Sequence, residues 1–111
     1  MTNATVGTLE LAVLLAVARL GEDAYGLGVR RDVSARTGRE QSVGAIYTTL
    51  ERLQAKALLT SKTTDPLPTR GGRSRRQFRI TAAGHRAIRD AERLARSVWS
   101  DLGHSLKPRT T

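Results

Sequence analysis

The stretch from Gln41 to Leu59, QSVGAIYTTLERLQAKALL, constrains the fold of this chain more than any other. Val43, Ile46, Leu50, Leu53 and Ala57 recur at alternating steps of three and four, the spacing that lines one face of an amphipathic helix. One side of that helix has to be covered by a core. Ser42 can accept a hydrogen bond from a free backbone N–H of the first turn, so the helix is expected to begin at Val43. At about 100° per residue the opposite face carries Gly44, Ala45, Thr48, Glu51, Arg52 and Ala55. This face is small and hydroxyl-bearing in its N-terminal half, with a guanidinium one turn further on, and such a surface can lie close against a nucleic-acid groove. A plain solvated face is the default reading of an amphipathic helix, so the flanking segments have to decide.

Upstream, Leu9, Ala12, Val13, Ala16, Val17 and Leu20 keep helical spacing over Thr8 to Leu20, and Leu11, Leu14 and Leu15 make that helix apolar over most of its girth. Burial on several sides follows. Gly21 offers a stop, and Asp23 is a candidate N-cap for a second helix over Ala24 to Arg36, with Tyr25, Val29 and Val33 stacked on one side. Gly38 ends it, and the short GREQS connection leads into the helix from Val43. The order is helix, helix, short turn, helix, which is that of a helix-turn-helix.

Downstream, LLTSKTT from Leu58 and RRQFRIT from Arg75 read as antiparallel strands, with Phe78 and Ile80 on one face by alternation. The loop between them holds Pro66, Pro68, Gly71 and Gly72, so the pair forms a wing. Arg70, Arg73, Arg75, Arg76 and Arg79 fall within ten residues that contain no acid. Arginine couples a permanent charge to a planar fork of donors that matches phosphate oxygens or a guanine edge. Beside a helix-turn-helix, this loop is expected to touch phosphate or the minor groove rather than water alone.

Thr81 is expected to cap a last helix from Ala82 to about Leu102, in which Gly84, Ile88, Ala91, Ala95, Val98 and Leu102 alternate four and three residues apart. Ala87 and Leu94 widen this seam, while Arg86, Arg89, Arg93 and Arg96 take other faces. The seam is long for the core left in so small a domain, which predicts pairing with the same helix of a second copy; a fully intramolecular role, with Ala87 and Leu94 against the first helix, is the alternative. The remaining segment, SLKPRTT, has no periodicity and is expected to fray.

The charge agrees with a polyanionic partner: the 111 residues carry a formal net charge of +9. Anionic lipid would also attract it, but the longest apolar run, Leu11 to Ala18, is far short of the ~20 residues of a membrane span. The N-terminal segment has no secretory pattern and the chain no cysteine, so a cytoplasmic protein without membrane partner is expected. His85 and His104 are too isolated for a metal site. No paired carboxylates, histidine dyad or phosphate-binding glycine loop suggests catalysis, and no cofactor is expected.

In the order and spacing of these pieces the sequence resembles the PadR family of bacterial transcriptional regulators, in particular its short-tailed members. The matching residues are GTLELAVLLAV at Gly7 to Val17, the pair Tyr25 and Gly26, VGAIYTTLERL at Val43 to Leu53, the pair Leu58 and Leu59, GGRSRRQFRIT at Gly71 to Thr81, and Thr81 with Gly84. They span nearly the whole chain. The family often has proline where Thr48 stands and glycine where Ala57 stands. The first departure restores an N–H and adds a hydroxyl; the second removes an easy left-handed cap, so a looser helix-to-strand turn is expected.

The resemblance implies a winged-helix homodimer, held by its N- and C-terminal helices, that represses transcription from inverted-repeat operators and is released by small effectors. The expected architecture is mostly α with a small β-hairpin wing, an α+β winged helix-turn-helix. Residues 1–81 would form the DNA-binding domain, 82–104 the dimerisation helix and 105–111 a flexible tail. Ser42 and the helix amides would meet phosphates of double-stranded DNA. Ala45, Thr48, Thr49 and Arg52 would lie along the groove, and Arg70, Arg73, Arg75 and Arg76 on the wing would add further contacts. Tyr47 reads equally as a sugar-phosphate contact or as a core residue at the stripe's margin. Dimer contacts are expected from Leu9, Val13, Ile88, Ala91, Leu94, Ala95, Val98 and Leu102. Trp99 has two readings: an apolar filler of the interface, or one of two rings that sandwich a small planar aromatic effector. Two rival functions are a protein-interaction module and a non-specific nucleic-acid binder.

Overall fold

A computed structural model of the chain describes residues 6–64 and 75–106, with side chains as far as residue 100. Helix α1 spans Thr8–Leu20, a 3₁₀ turn Gly21–Asp23, α2 Gly26–Thr37, α3 Val43–Ala55, strands β1 Leu59–Thr64 and β2 Arg75–Ile80, and α4 Ala82–Leu106. The strands pair antiparallel, from Leu59 opposite Ile80 to Thr64 opposite Arg75. This is the helix-turn-helix followed by a hairpin that the spacing predicts. Residues 65–74, which include Arg70, Arg73 and the Pro66, Pro68, Gly71 and Gly72 of the tip, lie outside those described.

The apolar girth of α1 makes it the centre of the core. Val13, Leu14, Ala16 and Val17 are buried, and around them pack Val29 and Val33 of α2, Ile46, Leu50 and Leu53 of α3, and Leu58, Leu59 and Phe78 of the hairpin. Each large side chain of this set contributes about 1.5–3 kcal/mol of transfer free energy. Val13 is therefore consumed by its own protomer and is not the dimer contact expected of it; Leu9, half-buried beside the same core, keeps a free edge.

The second helix begins later than its sequence pattern suggests. Asp23 closes the 3₁₀ turn instead of capping, Ala24 is fully buried, and Tyr25 forms an isolated antiparallel bridge with Gln77 of β2 before α2 starts at Gly26. The amide of Phe78 donates to the Ala24 carbonyl at 2.8 Å, which satisfies a backbone group that a local helix would otherwise have used. Gly38, at φ 71°, closes α2 in the left-handed conformation as expected.

At the start of α3 the Ser42 hydroxyl accepts from the Ala45 amide at 3.0 Å, so the cap forms as predicted. The two ends of the predicted apolar stripe depart from it. Val43, the first helical residue, is 45% exposed. Ala57 lies beyond the helix, at φ 62°, and the Leu58 amide still closes on the Leu53 carbonyl at 3.0 Å. The turn has thus kept a glycine-like geometry with an alanine in it and is not the looser one expected. A left-handed L-residue costs about 1–2 kcal/mol, while glycine costs about 0.5–1 kcal/mol in backbone entropy. Ala57→Gly should therefore stabilise the fold by about 0.5–1 kcal/mol, measured as a rise in the urea midpoint at constant slope.

Glu10 and Lys56 tie α1 to the end of α3. The carboxylate is buried, accepts from the Gly7 amide at 2.9 Å and from the Lys56 ammonium at 2.9 Å through each oxygen. Burial alone would raise the acid's pKa, but the Gly7 amide, the Lys56 hydrogen bond and charge, and the Arg52 charge together hold it below the ordinary value of 4.5. A carboxyl lowered in the folded state contributes stability that is present above its unfolded pKa and is lost as pH falls through the folded one. Wild type should exceed Glu10→Gln in urea stability at neutral pH, and the gap should close as pH falls below the ordinary carboxyl value of 4.5 and through the lowered folded one.

Helix α4 starts under a Thr81 cap, whose hydroxyl accepts from the Gly84 amide at 3.0 Å. It runs through Leu106, beyond the 104 expected, so the first part of the expected tail is helical; residues 107–111 lie outside those described. Ala83, Ala87 and Ile88 pack on the core. Gly84, assigned by spacing to the intermolecular seam, is buried at the join of α4 with the hairpin.

Candidate nucleic-acid interface

The outward face of α3 is Ser42, Val43, Gly44, Thr48, Glu51, Arg52 and Ala55, all exposed, with Ala45 half-buried beside them. It is the low-relief, hydroxyl- and guanidinium-bearing surface expected from the periodicity, with Val43 added to it. Arg52 makes no ion pair with a carboxylate within 4 Å among the described residues, which leaves its donor fork available.

Thr49 does not belong to this face. It is buried, and its hydroxyl donates to the Ala45 carbonyl at 2.7 Å, one turn back in the same helix. Thr49 therefore does not lie along the groove as expected, because its hydroxyl is spent inside the helix. Tyr47 is half-buried against the core and its ring lies over Gly26, so close that a Cβ on that glycine would stand 2.0 Å from the phenol oxygen. Of its two readings the core-margin one describes its body, and Gly26 is the residue that makes room for it.

The turn into α3 is fixed by polar groups that the sequence pattern did not single out. The Arg30 Nε donates to the Gln41 carbonyl at 2.5 Å, and the Gln41 amide donates to the Ser34 hydroxyl at 2.9 Å. Both bonds run from α2 to the residue before the Ser42 cap, so the entry to α3 is held by its partner helix.

On the wing the arginines divide. Arg76 donates to Glu51 at 3.0 Å, to Gln54 at 2.9 Å and to the Ser61 hydroxyl at 3.1 Å, a network that fastens β2 and β1 to α3. Its charge is met from within, so it is corrected from a DNA contact to a tie between wing and helix. Arg75 is exposed, with its guanidinium carbon 3.9 Å from the centroid of the Tyr25 ring. Arg79 is exposed on the same outer face of the hairpin. Of the four wing arginines expected to meet DNA, only Arg75 is among the described residues and free of a carboxylate partner there.

A different surface lies along α4. Ile88 and Ala91 are half-buried; Leu94, Val98 and Trp99 are 66%, 48% and 70% exposed, and Ala95 is exposed between them. The backbone at Leu102 is helical, but its side chain lies outside those described. Among the described residues no group of acids and histidines is placed to hold a metal ion, and no helix is long and apolar enough to cross a membrane.

A capped helix presented by a helix-turn-helix, flanked by a basic two-stranded wing, defines a winged-helix DNA-binding protein. Residues 14–90 match the sequence model of the transcriptional regulator PadR-like family. The transcriptional regulator Rv3488 of Mycobacterium tuberculosis is 36% identical over 87 residues, 75% of this chain and 77% of that protein. The fold is similar to that of a PadR family transcriptional regulator from Eggerthella lenta DSM 2243, with a TM-score of 0.69 and 26% identity, covering 91% of this chain and 89% of that one. It is also similar in fold to Bordetella bronchiseptica BpsR, whose DNA binding is regulated by 6-hydroxynicotinic acid, with a TM-score of 0.65 and 15% identity over 93% of this chain and 69% of that one. The chain belongs to the PadR-like family of transcriptional regulators, and it is a DNA-binding protein, not an enzyme.

Proposed function

We propose that the chain acts in the cytoplasm as a homodimeric repressor that binds an inverted-repeat operator. The observation that carries the dimer is the apolar stripe of α4: Leu94, Val98 and Trp99 face solvent in the single chain, and only a second apolar surface would remove them from water. Pairing with a copy of the same helix, edged by Leu9 of α1, supplies that surface with twofold symmetry. Two α3 helices would then lie about one turn of duplex apart, ~34 Å, which favours a palindrome. In each half-site Ser42 and the first α3 amides would meet phosphate, Thr48 and Arg52 base edges, and Ala45 would permit close approach. Residues 1–81 serve as the DNA-binding unit and 82–104 as the pairing helix in this reading.

A small aromatic effector is a second element of the proposal. Trp99 is the most exposed large apolar residue of the stripe among the described residues, and twofold pairing would bring its ring near its copy. BpsR, similar in fold alone, responds to a planar aromatic acid.

The test combines light scattering with footprinting on the DNA upstream of the chain's own coding sequence. A dimer protecting an inverted repeat, at least ~10³ tighter than on random duplex, supports the reading. A monomer, or uniform protection of all sequences, rejects it and leaves the non-specific binder.

A further inference from the structure

We propose that Tyr25 is a positioning residue that aims the Arg75 guanidinium at a backbone phosphate of bound DNA, while Arg76, its neighbour in sequence, serves inside the protein. The inference rests on the orientation of α3 and wing towards DNA given above.

The alternation of β2 separates the two arginines. Arg76 shares a face with Phe78, which is buried, and is drawn into the bonds to Glu51, Gln54 and Ser61. Arg75 points to the other face of the hairpin, in the last register pair before the tip, opposite Thr64. Its main chain is fixed there, because the Thr64 hydroxyl donates to the Arg75 carbonyl at 3.1 Å.

Its side chain is fixed by Tyr25. A guanidinium 3.9 Å above a ring centroid is attracted by the ring quadrupole and keeps the edge of its fork, where the donors lie, open to a ligand. An arginine held this way loses less side-chain entropy when it binds phosphate than one free in solvent. The backbone that carries the ring is in turn fixed. Tyr25 bridges Gln77 on β2, its amide donates to the Asp23 carbonyl at 2.9 Å, and its carbonyl accepts from the Val29 amide at 2.9 Å as the first bond of α2.

The same corner touches α3. Gly26, next to Tyr25, carries the Tyr47 ring of α3 against it, and Tyr47 directly precedes the exposed Thr48. Thr48, Tyr47, Gly26, Tyr25 and Arg75 thus form a continuous line from the DNA-facing half of α3 across the start of α2 to the wing. In this proposal a DNA backbone that passes the N-terminal half of α3 would meet Arg75 next. No described carboxylate pairs with Arg75, so phosphate has no internal competitor among these residues.

The test measures binding of the full chain to a fluorescein-labelled random-sequence duplex of ~30 base pairs, about three helical turns, across a series of salt concentrations. Arg75→Ala should weaken binding about fivefold and make the slope of log affinity against log salt shallower by about one per protomer, as loss of one phosphate contact requires. Tyr25→Leu should weaken it about threefold, and Tyr25→Phe, which keeps the ring, by less than twofold. In the Arg75→Ala background Tyr25→Leu should add nothing, an outcome that a merely structural role of the tyrosine would not give. The proposal is overturned if Arg75→Ala keeps the wild-type slope, or if Tyr25→Leu costs the same factor with and without Arg75. Either result, with wild type still bound, leaves the DNA reading standing; absence of wild-type binding at low salt removes both.

Discussion

Val98→Glu should convert the protein from a dimer to a monomer and weaken operator binding by about 10²-fold or more. In the single chain Val98 is 48% exposed on the outer stretch of α4, beyond Ile88, the last α4 residue packed on the core. The substitution therefore removes nothing from the protomer's own core. In the proposed twofold pairing it places two carboxylates in one apolar seam, where each loses hydration without gaining a partner, a cost of several kcal/mol. Affinity falls because the second half-site would no longer be engaged intramolecularly. Light scattering should give the monomer mass, circular dichroism an unchanged helix content, and binding to an isolated half-site should remain at its wild-type value. A Val98→Glu protein that stays dimeric would place the interface elsewhere.

Gly84→Ala is the second large effect and acts within the protomer. A methyl group at this position would stand 2.3 Å from the Leu58 carbonyl oxygen and 2.6 Å from Ile80 Cγ1. The nearer of the two is backbone and is held in place. The Leu58 carbonyl accepts from the Thr81 amide at 3.1 Å, and Ile80 is the last residue of β2, paired with Leu59. Relief has to come from lifting the first turn of α4 off the hairpin, with loss of the contacts of Ala83 and Ala87 behind it. Overpacking of this kind costs about 1–3 kcal/mol, and the upper end is expected because the obstacle is backbone. Thermal unfolding at matched protein concentration should fall by roughly 10 °C for ~3 kcal/mol. An unchanged midpoint would mean that α4 sits less tightly on the wing than this geometry requires.

Much of this arrangement is written locally. Ile46, Leu50 and Leu53 fall on one arc of a 3.6-residue helix and are buried together, while Thr48 and Arg52 are turned out. The same arithmetic applies to Thr49, which lies only about 60° round the helix from Ile46, within the arc that a core covers. Its burial is therefore legible in the spacing, and its hydroxyl is satisfied by the helix's own carbonyl. Arg76 is a parallel case, since period-two alternation puts it on the face of Phe78. The ends of α3 were less legible because a cap and a left-handed turn both interrupt the period, which frees Val43 and moves Ala57 outside. What the pattern could not supply are pairings remote in the chain. The bridge of Tyr25 to Gln77 displaces the start of α2, the ring of Tyr25 lies beneath Arg75, and Lys56 meets Glu10 across 46 residues.

Between the end of β2 at Ile80 and the start of α4 at Ala82 there is one residue. Thr81 is bonded on both sides: its amide donates to the Leu58 carbonyl, and its hydroxyl donates to the Ala57 carbonyl at 2.8 Å and accepts from the Gly84 amide. The corner where α3 turns into β1 and the corner where β2 turns into α4 are thereby clamped together, and the chain has no slack there to absorb a rotation. Helix α4, about 37 Å long at 1.5 Å per residue, is then a lever rigidly mounted on the reading head. In the proposed dimer, tilting one α4 against the other by about 5° carries its far end through about 3 Å over that length. Motion of that size at the pairing helix reaches α3 as a change in the spacing between half-sites, without any rearrangement inside either protomer.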